Sequence, residues 1–119
     1  MARDAPSIDA FGGGGFRLSG VWRPGSLLIL ADEVQTWPVA ALADLTLESL
    51  APVFAAGRAE VEFLLLGVGA RNALPPRAIR EALLAAGLGL EFMDTPAAAR
   101  LYNVLTSEGR RLAAALIAV

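Results

Sequence analysis

Apolar positions along the chain follow two rhythms, and the change near residue 44 separates a strand-rich first third from an alternating helix–strand remainder. Short apolar runs at Ile8–Phe11 and Phe16–Leu18 predict strands, separated by Gly12-Gly13-Gly14-Gly15. Four glycines permit any tight turn. A phosphate cradle would need a helix directly afterwards to lend its N-terminus, and no helical pattern follows. Ser26–Leu30 and Val34–Trp37 predict two further strands, joined as a hairpin through Ala31-Asp32-Glu33. Leu47, Leu50, Ala51 and Phe54 then recur at helical spacing. Pro52 is tolerated only in a first turn, so a helix is expected from near Ser49, as N-cap, to Gly57. Val61–Leu66 is apolar throughout, as in a strand covered on both faces. Pro75-Pro76 opens a second helix whose inner face is Ile79, Ala82, Leu83 and Ala86, closed by Gly87. Leu90–Met93 reads as a strand. Thr95-Pro96 reads as a hydroxyl cap followed by proline at the first helical position, opening a third helix with the stripe Ala98, Leu101, Tyr102 and Leu105 and its end at Gly109. Arg110 to Val119 reads as a final strand. The order β-β-β-β-α-β-α-β-α-β predicts an α/β fold: a mixed sheet carrying about three helices on its faces and antiparallel strands at the N-terminal end. One domain over 1–119 is expected, with 1–7 as a loose tail.

Composition narrows the chemistry. The chain has 119 residues, 55% of them apolar, with a mean hydropathy of +0.55. Alanine accounts for 24 of the residues, which moderates that excess without removing it. A domain of this size leaves much of its surface in water, so some large apolar side chains are expected outside, a hint of a partner surface. All ten basic residues are arginine, scattered except for Arg110-Arg111, and the net charge is −2. No basic stripe exists to follow nucleic acid, and no lysine exists for a Schiff base or a Walker-type phosphate loop. Cysteine and histidine are absent, which excludes disulfides, thiolate catalysis and histidine- or cysteine-ligated metals. No metal and no cofactor are therefore expected. Elemental analysis after dialysis should find no zinc, copper or iron at one per chain; one such metal per chain would contradict this reading. The longest apolar run, Leu112–Val119, is far short of a membrane span, and the first residues lack the apolar centre of a signal peptide. A soluble, cytoplasmic protein is the expectation.

No catalytic residue stands out. A serine elbow has no histidine to activate it, and Glu60, Glu62 and Glu91 read as solvated strand-end carboxylates. The sharpest motif is Gly67-Val68-Gly69-Ala70-Arg71 after a buried strand, with Asp94 ending the next strand. It opens like a dinucleotide fingerprint, but Asn72 stands at the third glycine position and Pro75-Pro76 delays the helix. If both strands are parallel, the two loops share the carboxyl-end edge, where ligands of open α/β sheets bind. Gly67, Gly69, Arg71, Asp94, Thr95, Arg100 and Asn103 are the candidates for a binding edge. Against that stands a local account: the glycines permit tight turns, Asp94 and Thr95 cap the helix, and Arg100 pairs with Asp94. Trp22 and Trp37 both lie in the strand-rich third. Either packs against the sheet or, partly exposed, anchors a partner.

Longer stretches carry a resemblance: Gly15-Phe16-Arg17-Leu18-Ser19-Gly20, Gly25-Ser26-Leu27-Leu28, Trp37-Pro38, Leu66-Gly67-Val68-Gly69, and above all Met93-Asp94-Thr95 with Ala99-Arg100-Leu101-Tyr102-Asn103-Val104-Leu105 and Glu108-Gly109-Arg110-Arg111. From about Ile8 to Val119 the chain resembles the family of mitochondrial complex I assembly factor 3 and its uncharacterised bacterial and archaeal relatives. The resemblance implies a three-layer α/β domain with a mixed central sheet. It also implies a non-catalytic interaction module whose partners are proteins, such as respiratory complex subunits or their assembly machinery. It supplies no catalytic residue. Val68 and Leu101 stand where many relatives have threonine, which weakens any hydroxyl-lined site. The absence of an Arg-rich amphipathic presequence suggests a bacterial member. The rival expectation is a small-ligand binder or weak enzyme using the carboxyl-end edge.

Overall fold

The computed structural model describes residues 5–119, so the expected loose tail falls largely outside the described residues. Its last residue, Ser7, is held by the Ser19 N–H, which donates to the Ser7 carbonyl at 2.9 Å.

Among the described residues eight strands and three α-helices form. A three-stranded antiparallel sheet has the order β1 (Ile8–Gly12), β2 (Gly15–Leu18), β3 (Val21–Pro24). The central sheet comprises β4 (Leu27–Leu30), β5 (Glu33–Thr36), β6 (Phe63–Gly67), β7 (Gly89–Met93) and β8 (Leu112–Leu116), in the order β5-β4-β8-β6-β7. Here β6 runs parallel to both β7 and β8, while β4 is antiparallel to β5 and β8. The sheet is mixed, as the element order predicts.

Alternation along the strands sends side chains to two cores. Leu28, Leu64, Leu66, Ala113 and Ala115 face α1 (Ala51–Glu60) and α2 (Arg77–Ala85), meeting Val53, Ile79 and Leu83. Leu27, Ile29, Phe63, Leu65, Ala114 and Leu116 face α3 (Thr95–Ser107) and the three-stranded sheet, meeting Ala98, Tyr102, Phe16 and Leu18. Part of the alanine excess thus lies in β8, the middle strand, where small side chains leave room for larger neighbours on both faces.

Three local expectations are corrected. Val21–Pro24 is a strand that apolar patterning does not reveal, because all four of its residues are exposed. Ser49 does not cap α1. Its hydroxyl donates to the Thr46 carbonyl at 2.6 Å and its carbonyl accepts the Trp37 indole N–H at 2.8 Å, while α1 begins two residues later. Gly57 does end the regular helix, with φ of 68°. On α3 the buried set is Thr95, Ala98, Ala99, Tyr102 and Thr106, with Leu101 and Leu105 half-buried, so the helix is rolled toward its small residues.

Candidate functional site

Parallel pairing of β6 and β7 brings the two predicted loops together at their carboxyl ends. Thr95 is the junction. Its hydroxyl accepts from the Gly69 N–H at 3.0 Å and donates to the Ile117 carbonyl at 2.7 Å, and its own N–H donates to the Gly69 carbonyl at 2.8 Å. It is fully buried. Gly67 belongs here for a steric reason: a Cβ would lie 2.9 Å from the Thr95 hydroxyl and 3.0 Å from Leu116. Gly69, at φ of 115°, takes a backbone conformation that side chains resist. The two glycines therefore fit the start of α3 against β6 and β8.

Asp94, not Thr95, is the N-cap: its carboxylate accepts from the Ala97 N–H at 2.9 Å, leaving Thr95 as the first helical residue and Pro96 as the second. The expected Asp94–Arg100 pair does not form. Arg100 is exposed, with its guanidinium 5.7 Å from the centre of the Phe11 ring. Asn103 faces β1, donating to the Ile8 carbonyl and accepting from the Ile8 N–H, both at 2.9 Å. Arg71 is exposed on the loop. Gly67, Gly69, Asp94 and Thr95 thus form one hydrogen-bonded joint, while Arg100 and Asn103 serve the contact of α3 with β1.

That two-point bond from Asn103 is the side-chain hydrogen bonding that ties β1 to α3 among the described residues. Asn103→Ala should cost about 1–2 kcal/mol and loosen β1 preferentially, read as faster amide exchange at Ile8 than in β6. Uniform exchange across both strands would contradict the role.

The carboxylates resolve separately. Glu62 accepts from the Arg111 N–H at 3.0 Å and lies 3.5 Å from the Arg110 guanidinium. The Arg111 backbone bond, more than the Arg110 charge, holds its carboxyl below the ordinary 4.5. Arg110 also lies over Phe63, at 5.3 Å. The single adjacent basic pair is thereby committed to its own surroundings. No three carboxylates gather as a cation site among the described residues.

Two concavities lie away from the Thr95 joint. One of about 460 Å³, bordered by Asp32, Glu60 and Arg111, opens at the opposite, amino-terminal ends of β6 and β8. Another of about 410 Å³ runs between β3 and β5. Trp22 lines it and is 46% exposed. The indole stands over Gly15, where a Cβ would run into the Arg23 carbonyl and lie 2.9 Å from the Pro24 Cα as well as 2.8 Å from the ring, which explains why a strand position carries glycine. Trp37, the other candidate, is corrected: it is 3% exposed and packed among the residues facing α1 and α2. The signal for the difference lies in Trp37-Pro38-Val39, where Trp37 and Val39 are buried on either side of an exposed proline.

Helices and a three-stranded sheet around a mixed central sheet, with the start of α3 hydrogen-bonded to the carboxyl ends of β6 and β8, define a small α/β domain. The chain belongs to the family described as protein of unknown function (DUF498/DUF598), whose model matches residues 8–117. It is 42% identical to an uncharacterized protein of Rhodobacter capsulatus over 110 residues, covering 92% of this chain and 82% of that one. It is 36% identical to the NADH dehydrogenase (ubiquinone) 1 alpha subcomplex assembly factor 3 of Danio rerio over 103 residues, 87% of this chain and 59% of that protein. This chain therefore spans less than two-thirds of the zebrafish factor. Among solved structures, one described as an outer membrane protein from Bartonella henselae superposes with a TM-score of 0.90 at 30% identity, covering 100% of this chain and 99% of that one. In the chain described here, no helix among the described residues is long and apolar enough to cross a membrane.

Proposed function

We propose that this chain is a non-catalytic, assembly-factor-like interaction module, one domain acting in the bacterial cytoplasm. Its partners are respiratory complex subunits or the machinery that assembles them. The observation that carries this reading is similarity to complex I assembly factor 3 along 87% of the chain. The closed bonding around Thr95 supports it over the small-ligand alternative, because the polar groups a ligand would use there already serve the fold. The docking surface is the β3 edge, where Trp22 exposes an aromatic face of the kind that anchors interfaces.

Affinity capture of the tagged chain from its native cells, followed by mass spectrometry, tests the reading. Subunits or assembly proteins of the NADH–ubiquinone oxidoreductase should co-purify, and deleting the gene should lower the amount of assembled enzyme. Co-purification of metabolic enzymes alone, with normal amounts of the oxidoreductase, would overturn it.

A further inference from the structure

Among the described residues the two sheets each leave an unpaired edge on the same groove: β3 on one side and β5 on the other. Hairpin geometry fixes which backbone groups point into it. Ser19-Gly20 is a two-residue turn with φ of 47° and 85°, so Leu18 and Val21 form the closing hydrogen-bonded pair. Pairs then alternate, and Trp22, opposite Arg17, directs both its N–H and its C=O away from β2. Pro24 falls at the next such position, where a residue without an N–H leaves the ladder to β2 intact. The same count on β4–β5, through the Ala31-Asp32 turn, directs the Val34 groups outward. Consistent with this, the Val34 carbonyl accepts from the Arg23 guanidinium at 3.3 Å, a side chain of β3 reaching the open edge of β5.

Resting on the interaction-module reading, we propose that this groove takes an extended, acidic segment of a protein partner as an added strand beside β3. Free strand edges select an extended backbone, because only that conformation returns N–H and C=O groups at matching spacing. Charge selects the sequence. Arg17 lies opposite Trp22 on the outer face of the ladder, and Arg23, on the other face, lines the groove with its guanidinium on the Val34 carbonyl; neither is within ion-pair distance of a carboxylate among the described residues. Glu33, the carboxylate of β5, does not line the groove. A second copy of this chain is the weaker occupant, since pairing two β3 edges sets the guanidiniums of each copy near those of the other. Pro24 keeps the ladder short: Trp22 exchanges two hydrogen bonds with one residue of the added strand, and Pro24 offers only a carbonyl. Side chains on Trp22, Arg17 and Arg23 then decide which segment binds.

Titration of the full chain with a synthetic peptide alternating valine and glutamate tests this, followed by amide exchange and tryptophan fluorescence. Two controls accompany it: the peptide with lysine for glutamate, and the acidic peptide N-methylated on the backbone nitrogens that would face β3. The acidic peptide should bind and slow exchange of the Trp22 amide, and both controls should bind at least about tenfold more weakly. The double variant Arg17→Glu, Arg23→Glu should reverse the preference toward the lysine peptide. Equal binding of the N-methylated peptide, no binding of the acidic one, or self-association that covers β3 would overturn strand addition. Should capture of the native partner require Trp22 while the peptides behave in any of those ways, the interaction module stands and the added strand falls.

Discussion

Thr95→Val is expected to destabilise the fold by about 2–3 kcal/mol while leaving its shape unchanged. Valine matches threonine in outline, so the cost is polar. The Gly69 N–H loses its acceptor at 3.0 Å and the Ile117 carbonyl its donor at 2.7 Å. A buried group without its partner costs about 1–3 kcal/mol, and Gly69 is only half-buried, so water can recover part of its share. Thr95→Ser keeps the hydroxyl and should cost about 1 kcal/mol for the lost methyl. Urea unfolding of the three proteins checks the order. Equal losses for valine and serine would mean that Thr95 packs rather than bonds, and that the edge is freer to take a ligand than its hydrogen bonds imply.

The larger effect belongs to Trp37→Ala, at about 3–5 kcal/mol for an aromatic removed from a packed core. Its ring contacts the cluster that includes Leu28, Val39, Leu45 and Leu50, and its N–H is matched to the Ser49 carbonyl at 2.8 Å. Trp22→Ala should cost no more than about 1 kcal/mol, since half of that residue is already in water. Equilibrium unfolding separates the two. Similar losses would contradict their assignment to core and surface.

Strands buried on both faces were legible because burial leaves an uninterrupted apolar run, as in Leu64-Leu65-Leu66, and because right-handed crossovers fix where their loops meet. The helix ends at Gly87 and Gly109 were legible from left-handed glycine, with φ of 75° and 78°. An edge strand exposed on all four residues, β3, carries no such run; the Ser19-Gly20 turn was its one local mark. The cap at α3 was displaced by one residue because aspartate and threonine are both good caps, and only tertiary contact with Gly69 and Ile117 takes the threonine for another purpose. Likewise Arg100 and Asn103 lie one turn apart on α3, but their targets on β1 are remote in sequence, beyond what helical spacing can reveal. The meeting of the Gly67–Arg71 and Asp94–Thr95 loops at one end of the sheet was thus legible. The polar groups there were expected to await a ligand or cap a helix, and most of them join secondary-structure elements.

If β3 is where this protein meets its partner, capture of the native partner by Trp22→Ala beside the unaltered chain will show it. Both proteins should show the same urea midpoint to within the small cost of a surface truncation. Trp22→Ala should recover at least about tenfold less partner, as expected for loss of an aromatic anchor. Undiminished capture by a folded Trp22→Ala protein would contradict it.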